Sequence, residues 1–116
     1  MAYDRNNVFA KILRGEIPCR KVAEDEWALA FHDINPLAPV HVLVIPKAHQ
    51  PHVAALGEDD PASLADLMRC VAAVAAQEDL GGHYRLVFNT GSQVGQSVFH
   101  VHGHLLGGRP MGWPPG

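Results

Sequence analysis

The stretch QSVFHVHGHLLGG, Gln96 to Gly108, puts histidines at every second position, His100, His102 and His104, with apolar residues around them. A neutral imidazole, with an ordinary pKa of about 6.5, is a competent nucleophile, proton carrier or metal ligand near neutral pH. In an extended strand, side chains two apart share a face at a spacing of about 6.5–7 Å. His100, His102 and His104 would then line one side, and Val101, Gly103 and Leu105 the other. A helix would scatter the three rings, so the spacing has a purpose only if the segment is extended.

Three chemistries fit such a row. One is a solvated face that happens to be histidine-rich. A second is a metal site, since His-x-His on a strand supplies two ligands. Further ligands would have to come from His41, His49, His52, Asp33 or Cys70, and no spacing selects among them. The third is attack on phosphorus, which needs donors to neutralise the phosphoryl oxygens. The loop just upstream, TGSQVGQS, supplies them: Gly91 and Gly95 let backbone approach an anion closely, and Ser92 and Ser97 add hydroxyls. A glycine loop alone is weak evidence; one that feeds His-x-His-x-His is strong.

The elements that must position these groups can be read along the chain. Asn6 or Asn7 can cap a short helix with Val8, Phe9, Ile12 and Leu13 on one face and Gly15 at its end. IPCRKVAEDE reads as an extended piece and a turn, WALAFHD as a strand, INPLAP as a loop and VHVLVIP as a buried strand ended by Pro46. AHQPHVAALGEDD looks irregular or weakly helical. Asp60 and Pro61 start a long helix whose stripe of Leu64, Leu67, Met68 and Val71 is core, with Gly81-Gly82 as its stop. YRLVFN and VFHVHGHLL complete about five strands, and GGRPMGWPPG is a tail. Short connections favour a single α+β domain over residues 1–116, a mostly antiparallel five-stranded sheet with one long and one short helix.

The bulk numbers agree. Apolar content of 47% against 18% charged is that of a globular chain, and a net charge of −3 argues against a protein that coats nucleic acid. Cys19 and Cys70 are far apart and read as reduced thiols. The first fifteen residues lack the apolar run of a signal peptide, and no stretch reaches the ~18 residues of a membrane span. A cytoplasmic protein that touches no membrane is the expectation.

The run His100-Val101-His102-Gly103-His104-Leu105-Leu106 resembles the His-φ-His-φ-His-φ-φ motif of the histidine triad superfamily, φ being apolar. FHDINPLAPVHVLVIPKAH, GQSVFHVHGHLLGGR and MGWPPG are similar to its nucleotide-binding branch of nucleoside phosphoramidases, over nearly the whole chain. The resemblance implies an α+β homodimer with joined sheets and a purine nucleotide as substrate. It implies His102 as nucleophile, forming a covalent nucleotidyl-histidine, with His104 on the phosphate and His100 and His41 orienting the site. Asn89, Gly95, Gln96 and Ser97 would hold the phosphate and ribose end, and Ser97 would donate to the leaving amine. Asp33 would bind the ribose hydroxyls, Ile34 would pack on the purine beside Phe9 or Ile12, and Trp113 of the tail 107–116 would lie near the partner's site. No metal or other cofactor is called for.

Two departures from the motif stand out. Gly103 replaces an apolar φ residue and is expected to weaken core packing; Val94 sits where a second glycine would be, and is expected to stiffen the loop. The rival functions are a purine-nucleotide binding or scaffold module with incidental hydrolysis, and a hydrolase of dinucleoside polyphosphates.

Overall fold

Strand β3 (Val40–Pro46) is apolar on both faces, and the sheet is built around it. In a computed structural model, which describes residues 3–116, the strands are β1 (Lys21–Glu24), β2 (Ala28–His32), β3, β4 (Tyr84–Val87) and β5 (Gly103–Gly107). Their order is β1-β2-β3-β5-β4, and every pairing is antiparallel. The first two residues of the segment read as lacking a leader's apolar run lie outside the described residues.

Period-two alternation divides the apolar residues between two cores. Ala28, Ala30, Val42, Val44 and Leu105 face the long helix α3 (Pro61–Gln77) and the short α2 (Val53–Asp59), where they meet Leu56, Leu67, Val71 and Val74. Leu29, Phe31, Leu43 and Ile45 face the other way, onto Phe9 of α1 (Val8–Leu13). The first core is covered by two helices. The second has six helical residues above it, which leaves room on that face.

Local signals account for most boundaries. The Asn7 side chain accepts from the Ala10 N–H and caps α1. Asp60 accepts from the Ser63 N–H, and Pro61 opens α3. Three boundaries differ from expectation. The weakly helical stretch is a real helix, α2, because the His52 ring accepts from the Ala55 N–H as its cap; the described residues thus form three α-helices, not two. Helix α3 ends at Gln77, ahead of Gly81-Gly82: Asp79 turns into left-handed backbone at φ 57°, and Leu80 drops into the core. The ladder of β5 begins only at Gly103, so His100 and His102 precede the strand. Alternation nevertheless persists through them, with Val101 and Leu105 in the helix-side core.

Gly103 does not leave the core underfilled. A Cβ there would lie 2.9 Å from Leu86 Cδ1 and 3.0 Å from the Phe88 ring, so those side chains occupy its space. Gly103→Leu is expected to lower stability by about 1–3 kcal/mol in denaturant melts through overpacking. Adding Phe88→Val should recover most of that loss; strictly additive losses would contradict this packing.

Candidate active site

The thinly covered face holds the histidines. In the β3–β5 register Leu43 pairs with His104 and His41 with Leu106, which puts His41 and His104 on the same face as Leu43. Asp33 follows the end of β2, where its N–H donates to the His41 carbonyl at 3.1 Å. His41 Nε2 then lies 3.0 Å from His104 Nδ1 and 3.4 Å from Asp33 Oδ2. The His102 ring packs edge-on against Phe9 at 4.8 Å and against His104 at 5.2 Å.

The partners of each ring assign its tautomer. His41 Nδ1 faces the Leu37 N–H at 3.1 Å and must accept, so its proton is on Nε2. That N–H donates to His104 Nδ1, which leaves the His104 proton on Nε2. His102 Nδ1 lies 2.8 Å from the His100 carbonyl and must donate, so Nε2 keeps its lone pair. His100 Nε2 donates to the Pro46 carbonyl at 2.8 Å, and its Nδ1 accepts from the Tyr3 hydroxyl at 2.5 Å.

Burial keeps all four rings neutral. It pushes His100 down to about 4 against the opposing bond to the Pro46 carbonyl. It also pushes His104 to about 4, aided by His102 and His41 and opposed by Asp33. His102 and His41 are lowered by burial too, with Asp33 pulling each back. His102 thus combines an unprotonated Nε2 with a fixed orientation, which is what a nucleophile at neutral pH requires.

Beside the rings a cavity of about 360 Å³ opens between α1, the loop after β2 and the segment before β5. Val8, Phe9, Ile12, Ile17, Phe31, Leu43 and Val98 make it apolar; Asp33, Ser97 and Ile34 are also among its lining residues. Ile34 is wholly exposed, an apolar side chain at the mouth without protein above it. The sequence-derived residues Asp33, Ile34, Ser97, Phe9 and Ile12 therefore share one pocket, next to the histidine cluster.

Other expected contacts fall elsewhere. Gln96 is buried: Oε1 accepts from the Gly91 N–H at 2.8 Å, and Nε2 donates to the Pro51 and Val98 carbonyls at 2.7 and 3.1 Å. Its backbone N–H goes to the Gly91 carbonyl. Gln96 braces the loop from within, and its polar groups face the protein. Gly91 and Gly95, at φ 95° and 103°, turn the loop about a single 3₁₀ turn, Ser92–Val94, with Val94 exposed on it. Asn89 faces Gly95 across this loop, outside the cavity lining. Tyr3 was not legible as a site residue: its contact with His100 spans 97 positions, and no local pattern announces it. His49 is exposed and stacks on Tyr3 at 4.9 Å.

The HIT domain profile matches residues 14–111, and the chain belongs to that family. It is 51% identical over 111 residues to an uncharacterized HIT-like protein of Synechocystis, covering 96% of this chain and 97% of that one. A 14 kDa zinc-binding protein of Zea mays is 46% identical, with coverage of 97% and 90%. Among solved structures, a HIT family hydrolase from Legionella pneumophila superposes with a TM-score of 0.90 at 49% identity, covering 96% and 100%. A histidine triad nucleotide-binding protein from Candida albicans gives 0.80 at 33% identity, covering 94% and 83%. The fold is thus that of HIT family hydrolases and nucleotide-binding proteins. Among the described residues no helix is long and apolar enough to cross a membrane.

Buried neutral rings make stability depend on pH. Unfolding restores a pKa of about 6.5, so the unfolded chain binds more protons below that value. Stability is whole above about pH 6.5 and falls as the pH drops toward the folded value of about 4 for His100 and His104. The Tm at about pH 4.5 should be lower than at about pH 7.5 by at least ~5 °C. Equal values would contradict neutral burial.

Proposed function

We propose that the protein is a purine nucleoside phosphoramidase, hydrolysing the P–N bond of adenosine or guanosine 5′-phosphoramidates. The observation that carries this reading is the bond from His102 Nδ1–H to the His100 carbonyl, which leaves Nε2 as the free lone pair of a buried neutral ring. That nitrogen attacks phosphorus; the P–N bond breaks and the amine leaves with a proton. Ser97, in the adjoining cavity, supplies that proton. Water then attacks the phosphorus of the nucleotidyl-histidine, giving up the proton that restores the Ser97 hydroxyl; the electron pair of the P–N bond returns to Nε2 and the nucleoside monophosphate is released. His104 Nε2–H donates to a phosphoryl oxygen throughout, held in that tautomer by His41. The apolar cavity takes the purine between Phe9, Ile12 and Ile34, and Asp33 takes the ribose hydroxyls.

The working unit in this reading is a homodimer in the cytoplasm. The β1 edge is guarded by Lys21 and Glu24 and a bulge, whereas the β4 edge offers Tyr84, Arg85, Leu86 and Val87 for pairing. Trp113, 83% exposed in the single chain, suits cover by the second copy. Sedimentation at the 12.6 kDa of one chain would contradict the dimer.

A second reading, divalent metal, has one observation behind it: donor atoms of Asp33, His41 and His104 lie within 4.8 Å of one another. The zinc-binding name of the maize relative points the same way. The donors are of the right kind, but their bonding does not fit a resident ion. His41 Nε2 carries a proton that His104 Nδ1 already accepts, and a cation would have to break that bond. In the phosphoramidase reading zinc takes no part in the reaction.

Intact-mass analysis during turnover of an adenosine phosphoramidate should show a transient adduct of one nucleotidyl group, absent in His102→Ala. A chelator should leave the rate unchanged. An adduct that persists in the variant, or activity lost to the chelator, would overturn the reading.

A further inference from the structure

The backbone that carries the nucleophile is held without a sheet ladder. Because β5 starts at Gly103, the carbonyl of His100, to which His102 Nδ1 is tied, belongs to irregular chain. Three bonds fix this segment. The Val101 N–H donates to the Gln50 carbonyl at 2.9 Å, and His100 Nε2–H donates to the Pro46 carbonyl at 2.8 Å. The third comes from the far end of the chain, where the Tyr3 hydroxyl reaches His100 Nδ1 at 2.5 Å. The Tyr3 ring is itself gripped: it stacks on His49 at 4.9 Å and 5°, and meets the His100 ring edge-on at 5.6 Å. Phe9 closes the other side, edge-on to both His100 and His102.

Resting on the phosphoramidase reading, we infer that Tyr3 is a positioning residue for the nucleophile, its hydroxyl clamping the His100 ring so that the His100 carbonyl holds the His102 tautomer. With Nε2 on Pro46 and Nδ1 on Tyr3, the His100 ring can neither flip nor rotate without losing a buried bond. Its carbonyl is therefore aimed, and His102 has one orientation and one proton position. Burial raises the Tyr3 hydroxyl's pKa, which keeps it a donor at neutral pH. Removing the hydroxyl frees one end of the His100 ring and loosens the next link. The effect should fall on the chemical step rather than on nucleotide binding, because Tyr3 lies outside the cavity lining.

The test is Tyr3→Phe, which keeps the ring contacts and deletes only the hydroxyl. The expected result is a kcat lowered about tenfold with KM within about twofold, since a slightly misaimed nucleophile reacts slowly while substrate still binds. A second readout needs no turnover: long-range proton–nitrogen spectra of the histidine rings in the free protein. Wild type should show a large separation between the two His102 ring nitrogens, one protonated and one bare; in Tyr3→Phe that separation should shrink as the second tautomer appears. Unchanged His102 signals, or a raised KM with kcat intact, would overturn the role of Tyr3. His102→Ala run alongside separates the two claims. Wild type that fails to turn over an adenosine phosphoramidate defeats the phosphoramidase reading, turnover that survives in His102→Ala defeats His102 as the nucleophile and with it the role of Tyr3, and the ring-nitrogen spectra decide Tyr3 without turnover.

Discussion

A single short hydrogen bond, from His102 Nδ1–H to the carbonyl two residues earlier, sets what the site can do. It assigns the proton of the ring and thereby the free nitrogen. Burial supplies the other half of the constraint. Charged imidazolium is costly away from water, so the rings stay neutral, and a buried neutral ring must still find partners for its nitrogens. Among the described residues no buried side-chain nitrogen or oxygen is left without one. The chain meets this demand by matching each ring to a group of one polarity: an N–H for His41, carbonyls for His100 and His102, and His41 itself for His104.

The fold makes such a cluster tolerable by dividing its labour. The helix-side core, with α3 lying across the sheet, buries most of the large aliphatic residues; at about 1.5–3 kcal/mol per fully buried side chain it is the main source of stability. The opposite face has only α1 and irregular chain to cover it, and the cavity and the imidazoles lie there. Strand alternation lets one segment serve both sides: Val101 and Leu105 enter the helix-side core while His102 and His104 face Phe9 and Leu43. Gly103 belongs to this arrangement, because Leu86 and Phe88 reach across to fill its place.

Much of this was legible in the residues. Asn7, Asp60 and Pro61 mark helix starts by side-chain chemistry that acts over three residues, and β3 was bounded correctly because its apolar run ends at a proline. Asp33, Ile34 and Ser97, which the resemblance assigns to the ribose, the purine and the leaving amine, line one cavity. What failed depends on distant partners. The helix α2 lacks a strong periodic stripe and is capped by a histidine, an unusual cap. The β5 ladder stops short because Val101 pairs with Gln50 of a loop. Gln96 looked like a phosphate ligand, but its amide bridges Gly91, Pro51 and Val98, an arrangement that only the folded loop reveals. Tyr3 is the extreme case, joined to His100 with nearly the whole chain between them.

The bond between phosphorus and the nucleophile reports most directly on all of this. A nucleotidyl-enzyme trapped by rapid quench, with its histidines labelled with nitrogen-15, shows which ring atom carries phosphorus through one-bond phosphorus–nitrogen coupling. The expected result is phosphorus on Nε2 of His102. Phosphorus on Nδ1 of that ring, or on His104, would contradict the tautomer assignment and the mechanism built on it.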